Sequence, residues 1–203
     1  MKTRLAQDFP TAAIVDLYRC LLNDTVELAK SLDGVDVAIM CPASDVNDLL
    51  LQIGDGVRIV AQTGEGLAAG LVSVFARFSS ANRCRTIALN SDSPHLAVSV
   101  LKDAFEALAC SDLVVGPTHD GGYYLVGATA SHPGLFASSG MSTENALQEL
   151  LTRAQAQGLS VQFTPAFYDI DVPADLDRLA ADLHGAPARA PRTASWIAEW
   201  KLK

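Results

Sequence analysis

The chain has 203 residues, 49% of them hydrophobic, and a formal net charge of −8 at neutral pH. This length and apolar content suffice for one sizeable core, while the acidic balance excludes broad binding to nucleic acid, which needs clustered Lys and Arg. No apolar run approaches the roughly 20 residues of a membrane span, and Lys2, Arg4, Asp8 and Pro10 stand where a signal peptide would carry its apolar core.

A cytoplasmic protein without membrane contact is therefore expected. Cys20, Cys41, Cys84 and Cys110 are far apart, with no CxxC and no adjacent His, so they read as buried thiols without chemistry.

Residues 11 to 32 place Ile14, Leu17, Leu21, Leu28 and Leu32 at helical spacing, and Gly34 stops the helix. Val35 to Cys41 reads as a strand, Pro42-Ala43-Ser44-Asp45 opens a helix ending near Gly54, and Val57 to Ala61 is the next strand. After the turn Gln62-Thr63-Gly64-Glu65-Gly66, Leu67, Leu71, Val74, Phe75 and Phe78 define a third helix. Thr86 to Leu89 is a strand running into Asn90-Ser91-Asp92-Ser93-Pro94, with a helix through Val98, Leu101, Phe105 and Leu108 behind it. Ser142-Thr143-Glu144 opens a helix that Gly158 closes, Val161 to Phe163 is a strand, and a last helix runs from about Ala174 to Leu183. Such alternation implies an α/β fold with a mostly parallel sheet between helices, whose ligands sit outside the carboxyl ends of the strands. One domain over residues 1–183 is expected, and residues 184–203 read as a Pro/Ala/Arg-rich linker with a short amphipathic end around Trp196 and Trp200.

The densest stretch is Asp112 to Gly127. Two apolar runs, Leu113 to Val115 and Tyr123 to Val126, flank Thr118-His119-Asp120-Gly121-Gly122. Paired glycines let a ligand approach main-chain N–H groups beside Asp120, whose carboxylate can accept from a hydroxyl; an ordinary glycine hairpin is the competing reading. Asp92, Asp169 and Asp171 come from loops that this architecture can bring together around a hard cation bridging phosphate oxygens. Either segment can instead cap the helix that follows it. Gly64-x-Gly66 is a weak phosphate-loop signal by itself, and no His shows ligand spacing.

Gly116-Pro117 through Asp120-Gly121-Gly122-Tyr123-Tyr124-Leu125-Val126-Gly127, together with Lys2-Thr3-Arg4-Leu5-Ala6, Ser91-Asp92-Ser93-Pro94 and Asp169-Ile170-Asp171-Val172-Pro173-Ala174-Asp175-Leu176, resembles a known bacterial family. It is the nucleotide-diphospho-sugar-transferase-like family of the DUF2064 type, with a GT-A three-layer fold around a mixed sheet, related to 2-phospholactate and molybdenum-cofactor guanylyltransferases. The resemblance implies a nucleotide or nucleotide-sugar near Lys2, Arg4, Gln62 and Gly64. It further implies Mg2+ or Mn2+ on Asp92 with Asp169 or Asp171, and a small-molecule acceptor near Asp120, Gly121, Gly122 and Tyr123. Asp92 and Asp120 would be the catalytic residues of a metal-dependent nucleotidyltransferase or glycosyltransferase. The alternative is an impaired relative that keeps the fold and binds a ligand.

Two departures stand out: Gly70 replaces an Arg common in relatives, and Met141 replaces a Trp. The family also has a strand and a Pro-Gly loop before the motif that here begins at Lys2, so the first strand is expected to be missing. The segment Trp196 to Trp200, a strand from a second copy in a homodimer, or an upstream segment would fill its slot.

Overall fold

Among the described residues, helical and alternating periods produce seven α-helices and six strands in the expected order. They are α1 (Thr11–Lys30), β1 (Ala38–Cys41), α2 (Val46–Ile53), β2 (Arg58–Ala61), α3 (Gly66–Phe78), β3 (Thr86–Leu89), α4 (Val98–Ala107), β4 (Leu113–Pro117), β5 (Tyr123–Ala128), α5 (Ala146–Ala156), β6 (Val161–Phe163), α6 (Pro173–His184) and α7 (Pro191–Lys201). The computed structural model describes residues 5, 8–53, 56–79, 85–136 and 145–201. Lys2, Arg4, Gly54, Cys84, Met141 and the helix start at Ser142-Thr143-Glu144 lie outside the described residues. No described helix is long and apolar enough to cross a membrane. The chain divides into two units, one of residues 36–89 and 100–167 and the other of residues 1–35, 90–99 and 168–203.

The first of these units holds every described strand. β1 and β2 pair in parallel, and a second sheet has the order β3-β5-β4-β6. β5 runs antiparallel to β3 and to β4, whereas β4 and β6 are parallel. The connection from Pro117 to Tyr123 decides this, because a parallel return needs a crossover of a dozen or more residues and a short turn permits only a hairpin. β3, β4 and β6 therefore share one direction, and the sheet is mixed. Leu113 and Val115 stand opposite Ala128 and Val126 and join Leu71 and Phe75 of α3 and Leu150 and Ala154 of α5 in one core. On the other face, a Cβ on Gly127 would meet Val114, Ile87 and, just past α4, Leu108 within about 3 Å. Helices thus cover both faces in the three-layer α/β class of fold.

Among the described residues β1 pairs only with β2 and β3 only with β5, so each presents an open edge. Ile39, Met40, Ile87 and Leu89 on these strands remain half-exposed despite being apolar. The segment from Trp196 to Trp200 does not fill such a slot, because it lies within α7.

In the other unit α1, α6 and α7 pack around Leu5, Ile14, Leu17, Leu21, Leu176, Leu179, Trp196 and Ile197. The expected linker is structured here. Pro187–Arg189 forms a 3-10 turn, Ala190 is buried, and α7 starts at Pro191. Pro191 occupies the first helical position and lacks an N–H, and the next two N–H groups donate to Asp24 of α1, from Arg192 at 3.3 Å and from Thr193 at 2.8 Å. Composition suggested an open linker because the capping carboxylate stands 169 residues away in the sequence. Cys41 is buried and Cys20 half-buried, and burial raises both thiols; Cys110 is exposed, contrary to expectation.

Candidate functional site

The carboxylate loops meet within one unit. The Ile170 N–H donates to the Asp92 carbonyl at 3.2 Å. Ser93 Oγ donates to the Tyr168 carbonyl at 2.9 Å and lies 3.4 Å from Asp169 Oδ1. Asn90 Nδ2 donates to the same Asp169 oxygen at 3.3 Å, while Asn90 Oδ1 accepts from the Asp92 N–H at 3.3 Å. Buried Tyr168 and Ile170 alternate with half-exposed Asp169, which turns the carboxylate away from the core.

Asp169 of the late pair is bonded to the Asn90–Ser93 loop. α4 begins only at Val98, well past Asp92, whereas the segment Asp171-Val172-Pro173 does open α6, with Val172 as the N-cap residue and Pro173 at the first helical position. There Asp175 accepts from the Asp171 and Val172 N–H groups, both at 2.8 Å.

No group of three or more His, Cys, Asp or Glu side chains among the described residues is arranged to hold a metal. Mg2+ commonly takes one or two carboxylates and completes its shell with water and phosphate oxygens, and the Asp169 carboxylate, held by the Asn90 amide and the Ser93 hydroxyl, is a hard oxygen donor of that kind.

The strand-bearing unit holds the remaining candidates. At the carboxyl end of β4, Asp120 Oδ1 accepts from Thr118 Oγ1 at 2.5 Å and from the Gly122 N–H at 3.2 Å, closing the turn. Gly121 has φ +90°, which only glycine adopts freely. A Cβ on Gly122 would lie 2.8 Å from Thr118 Oγ1. Both glycines and Asp120 therefore have structural work in the hairpin. Tyr123 packs against the core, and burial pushes its phenol up to about 12.

The Gln62 loop follows the carboxyl end of β2. Gln62 Nε2 donates to the carbonyls of Gly64 and Gly66 at 3.0 and 3.2 Å, and both glycines have positive φ. Gly70 makes room for this: a Cβ there would lie 2.9 Å from Gln62 Oε1. Sequence reasoning missed Asn90, Ser93 and Thr118, which hold the candidate carboxylates; only their position beside an Asp could have marked them.

A bacterial family described as "Uncharacterized protein conserved in bacteria (DUF2064)" matches residues 25–143, more than half of the chain. The chain belongs to this family. The DUF2064 match takes in Asp92 and the whole Asp112 to Gly127 stretch and stops short of Asp169. No curated protein matches the chain.

Among solved structures, a candidate nucleotide-diphospho-sugar transferase from Desulfovibrio desulfuricans G20 matches with TM-score 0.89 and 23% identity, covering 100% of this chain and 89% of that one. A homologue of Rv0371c from Mycobacterium sp. strain JC1 matches with TM-score 0.53 and 17% identity, over 81% of this chain and 83% of that one. Rv0371c of Mycobacterium tuberculosis H37Rv matches with TM-score 0.50 and 18% identity, over 78% and 82%. At these identities the likeness establishes the fold of this DUF2064 protein: that of a nucleotide-diphospho-sugar transferase.

Proposed function

We propose that this DUF2064 protein is a metal-dependent transferase. It would move a nucleotidyl or glycosyl group from a nucleoside triphosphate or nucleotide-sugar donor to a small-molecule acceptor. The observation that carries this reading is the joining of the Asn90–Ser93 loop to the Tyr168–Asp171 segment, which gathers Asp92 and Asp169 from positions 77 residues apart. In this reading Asp92 and Asp169 hold Mg2+ or Mn2+, with Asp171 nearby in sequence. A bound cation would neutralise the diphosphate leaving group, so that no covalent nucleophile is required.

Asn90 and Ser93 keep the Asp169 carboxylate in place. On the family resemblance alone, the Gln62–Gly66 loop would contact a donor and the Thr118–Gly122 turn an acceptor. Lys2 and Arg4 would contact donor phosphates.

One observation favours a second reading, a ligand-binding protein that keeps the fold without turnover: Asp120, the other catalytic candidate, carries bonds that its own turn needs. A panel of nucleoside triphosphates and nucleotide sugars, with and without Mg2+ or Mn2+ and with a set of hydroxyl- and phosphate-bearing small-molecule acceptors, separates the readings by thermal shift and release of pyrophosphate or nucleoside diphosphate. Metal-dependent stabilisation with release supports the transferase, and stabilisation without release supports the binding protein. No response to any member of the panel sinks both.

A further inference from the structure

Tyr168 lies beside the joined carboxylate loops, yet its side chain runs back against α6. Its phenol donates to Asp182 Oδ2 at 2.6 Å, and the Arg178 guanidinium lies 3.8 Å from its ring centroid. Arg178 and Asp182 are four residues apart and so share one face of α6. The His95 ring lies 4.9 Å away, and Tyr168 itself is 6% exposed. Packing alone would be satisfied by Phe at this position. The hydroxyl adds a directional, charge-assisted bond to a side chain that is 47% exposed at the edge of the unit. On its main-chain side Tyr168 accepts from Ser93 Oγ, and the residue after it is Asp169. Residues 168–171 lie in neither helix nor strand, so no ladder of main-chain bonds keeps the Asp169 carboxylate in place.

We propose that Tyr168 and Asp182 are positioning residues for the carboxylate cluster. α6 grips the Tyr168 side chain and thereby holds the Tyr168 carbonyl and the Asp169 carboxylate against the Asn90–Ser93 loop. This rests on the reading of Asp92 and Asp169 as cation ligands. It assigns a role to a helix that carries none of them. The pair acts at one remove from the cation: groups that orient metal ligands typically change affinity by about 10- to 100-fold when lost.

The test uses Mn2+ alone, titrated into the full chain and followed by loss of its free paramagnetic signal, with amide exchange at Ile170 and melting temperature measured in parallel. Tyr168→Phe and Asp182→Ala should each weaken Mn2+ about 10-fold or more. They should also speed exchange of the Ile170 amide, which bonds to the Asp92 carbonyl, while melting temperature changes little. Asp182→Asn, whose amide oxygen can still accept from the phenol, should recover most of the affinity. Unchanged Mn2+ affinity and Ile170 exchange in Tyr168→Phe and Asp182→Ala would overturn the assignment. So would losses that merely follow melting temperature and are no smaller in Asp182→Asn. Asp92→Asn separates this failure from that of the cation reading. If it abolishes Mn2+ binding while Tyr168→Phe leaves binding intact, the cation site stands and the positioning role falls. If the unmodified chain takes up no Mn2+, the cation reading falls, and Ile170 exchange alone decides whether Tyr168 joins the two segments.

Discussion

At Gly121 the backbone stands at φ +90°, in the left-handed half of conformational space, and the turn it serves also holds Asp120. Gly121→Ala should cost about 1 kcal/mol or more of unfolding free energy in urea. Gly122 lacks that φ, but an added Cβ at 2.8 Å from Thr118 Oγ1 would push aside the hydroxyl that Asp120 accepts from. Gly122→Ala should therefore lower acceptor affinity further than it lowers stability. Equal losses in the two would show that the turn is only structural.

Asp92→Asn should abolish metal-dependent stabilisation by donor while leaving the metal-free melting temperature near its starting value. In the cation reading the Asp92 side chain serves the ligand, while its main-chain N–H and carbonyl bond to Asn90 and Ile170 and survive the substitution. His95 supplies a pH dependence. Burial holds it down to about 4 from an ordinary 6.5; Asp182 favours its charged form, and Arg189 and Arg178 disfavour it. Between those values the unfolded chain binds the proton and the folded chain does not, so stability falls as pH drops through this window. The slope approaches about 1.4 kcal/mol per pH unit. Denaturant curves from pH 7 to 4 should show that decline, and His95→Gln should flatten it.

Among the elements, α7 depends on a residue of α1. Asp24, buried with 1% exposure, accepts from the Thr193 N–H and Oγ1 at 2.8 Å each as well as from Arg192. Trp196 Nε1 adds a bond to the Ala13 carbonyl at 3.1 Å. Asp24→Ala leaves two helix N–H groups without an acceptor and should cost about 2–4 kcal/mol, measured by urea denaturation. Asp175, which caps α6 from within the same helix, is half-exposed, and Asp175→Ala should cost about 1 kcal/mol. A larger loss from Asp175→Ala than from Asp24→Ala would reverse the ranking of the two contacts.

For the whole molecule, the two sheets differ in support. β4 is paired on both sides and β5 lies between β3 and β4, with Leu113 to Val115 and Tyr124 to Val126 at most 1% exposed. The β1–β2 pair has two strands and an exposed or half-exposed surface over much of its length. Two-stranded sheets are marginal by themselves. Amide exchange should therefore be slowest at Val114, Val115 and Leu125 and markedly faster along Ile39 to Cys41. Uniform protection across both sheets would mean that the edges of β1 and β3 that are open among the described residues carry no energetic penalty. The same weakness sits beside the Gln62 loop, so donor binding should raise protection in β2 before any other strand.

Thr86 to Leu89 and Val161 to Phe163 are legible residue for residue because alternation and breakers act over a handful of neighbours. The order of helices and strands was legible for the same reason, and so was the glycine turn at Asp120. Pairings between distant residues were not. The direction of β5 follows from a short turn and a register, and the tail became a docked helix because Asp24 was already buried where Thr193 arrives. Asp169 meets the Asn90–Ser93 loop because Tyr168 and Ile170 are drawn into the core on either side of it. Local periodicity determines which segments form; packing determines which polar groups are left to face one another, because each buried donor must find an acceptor wherever the fold brings one.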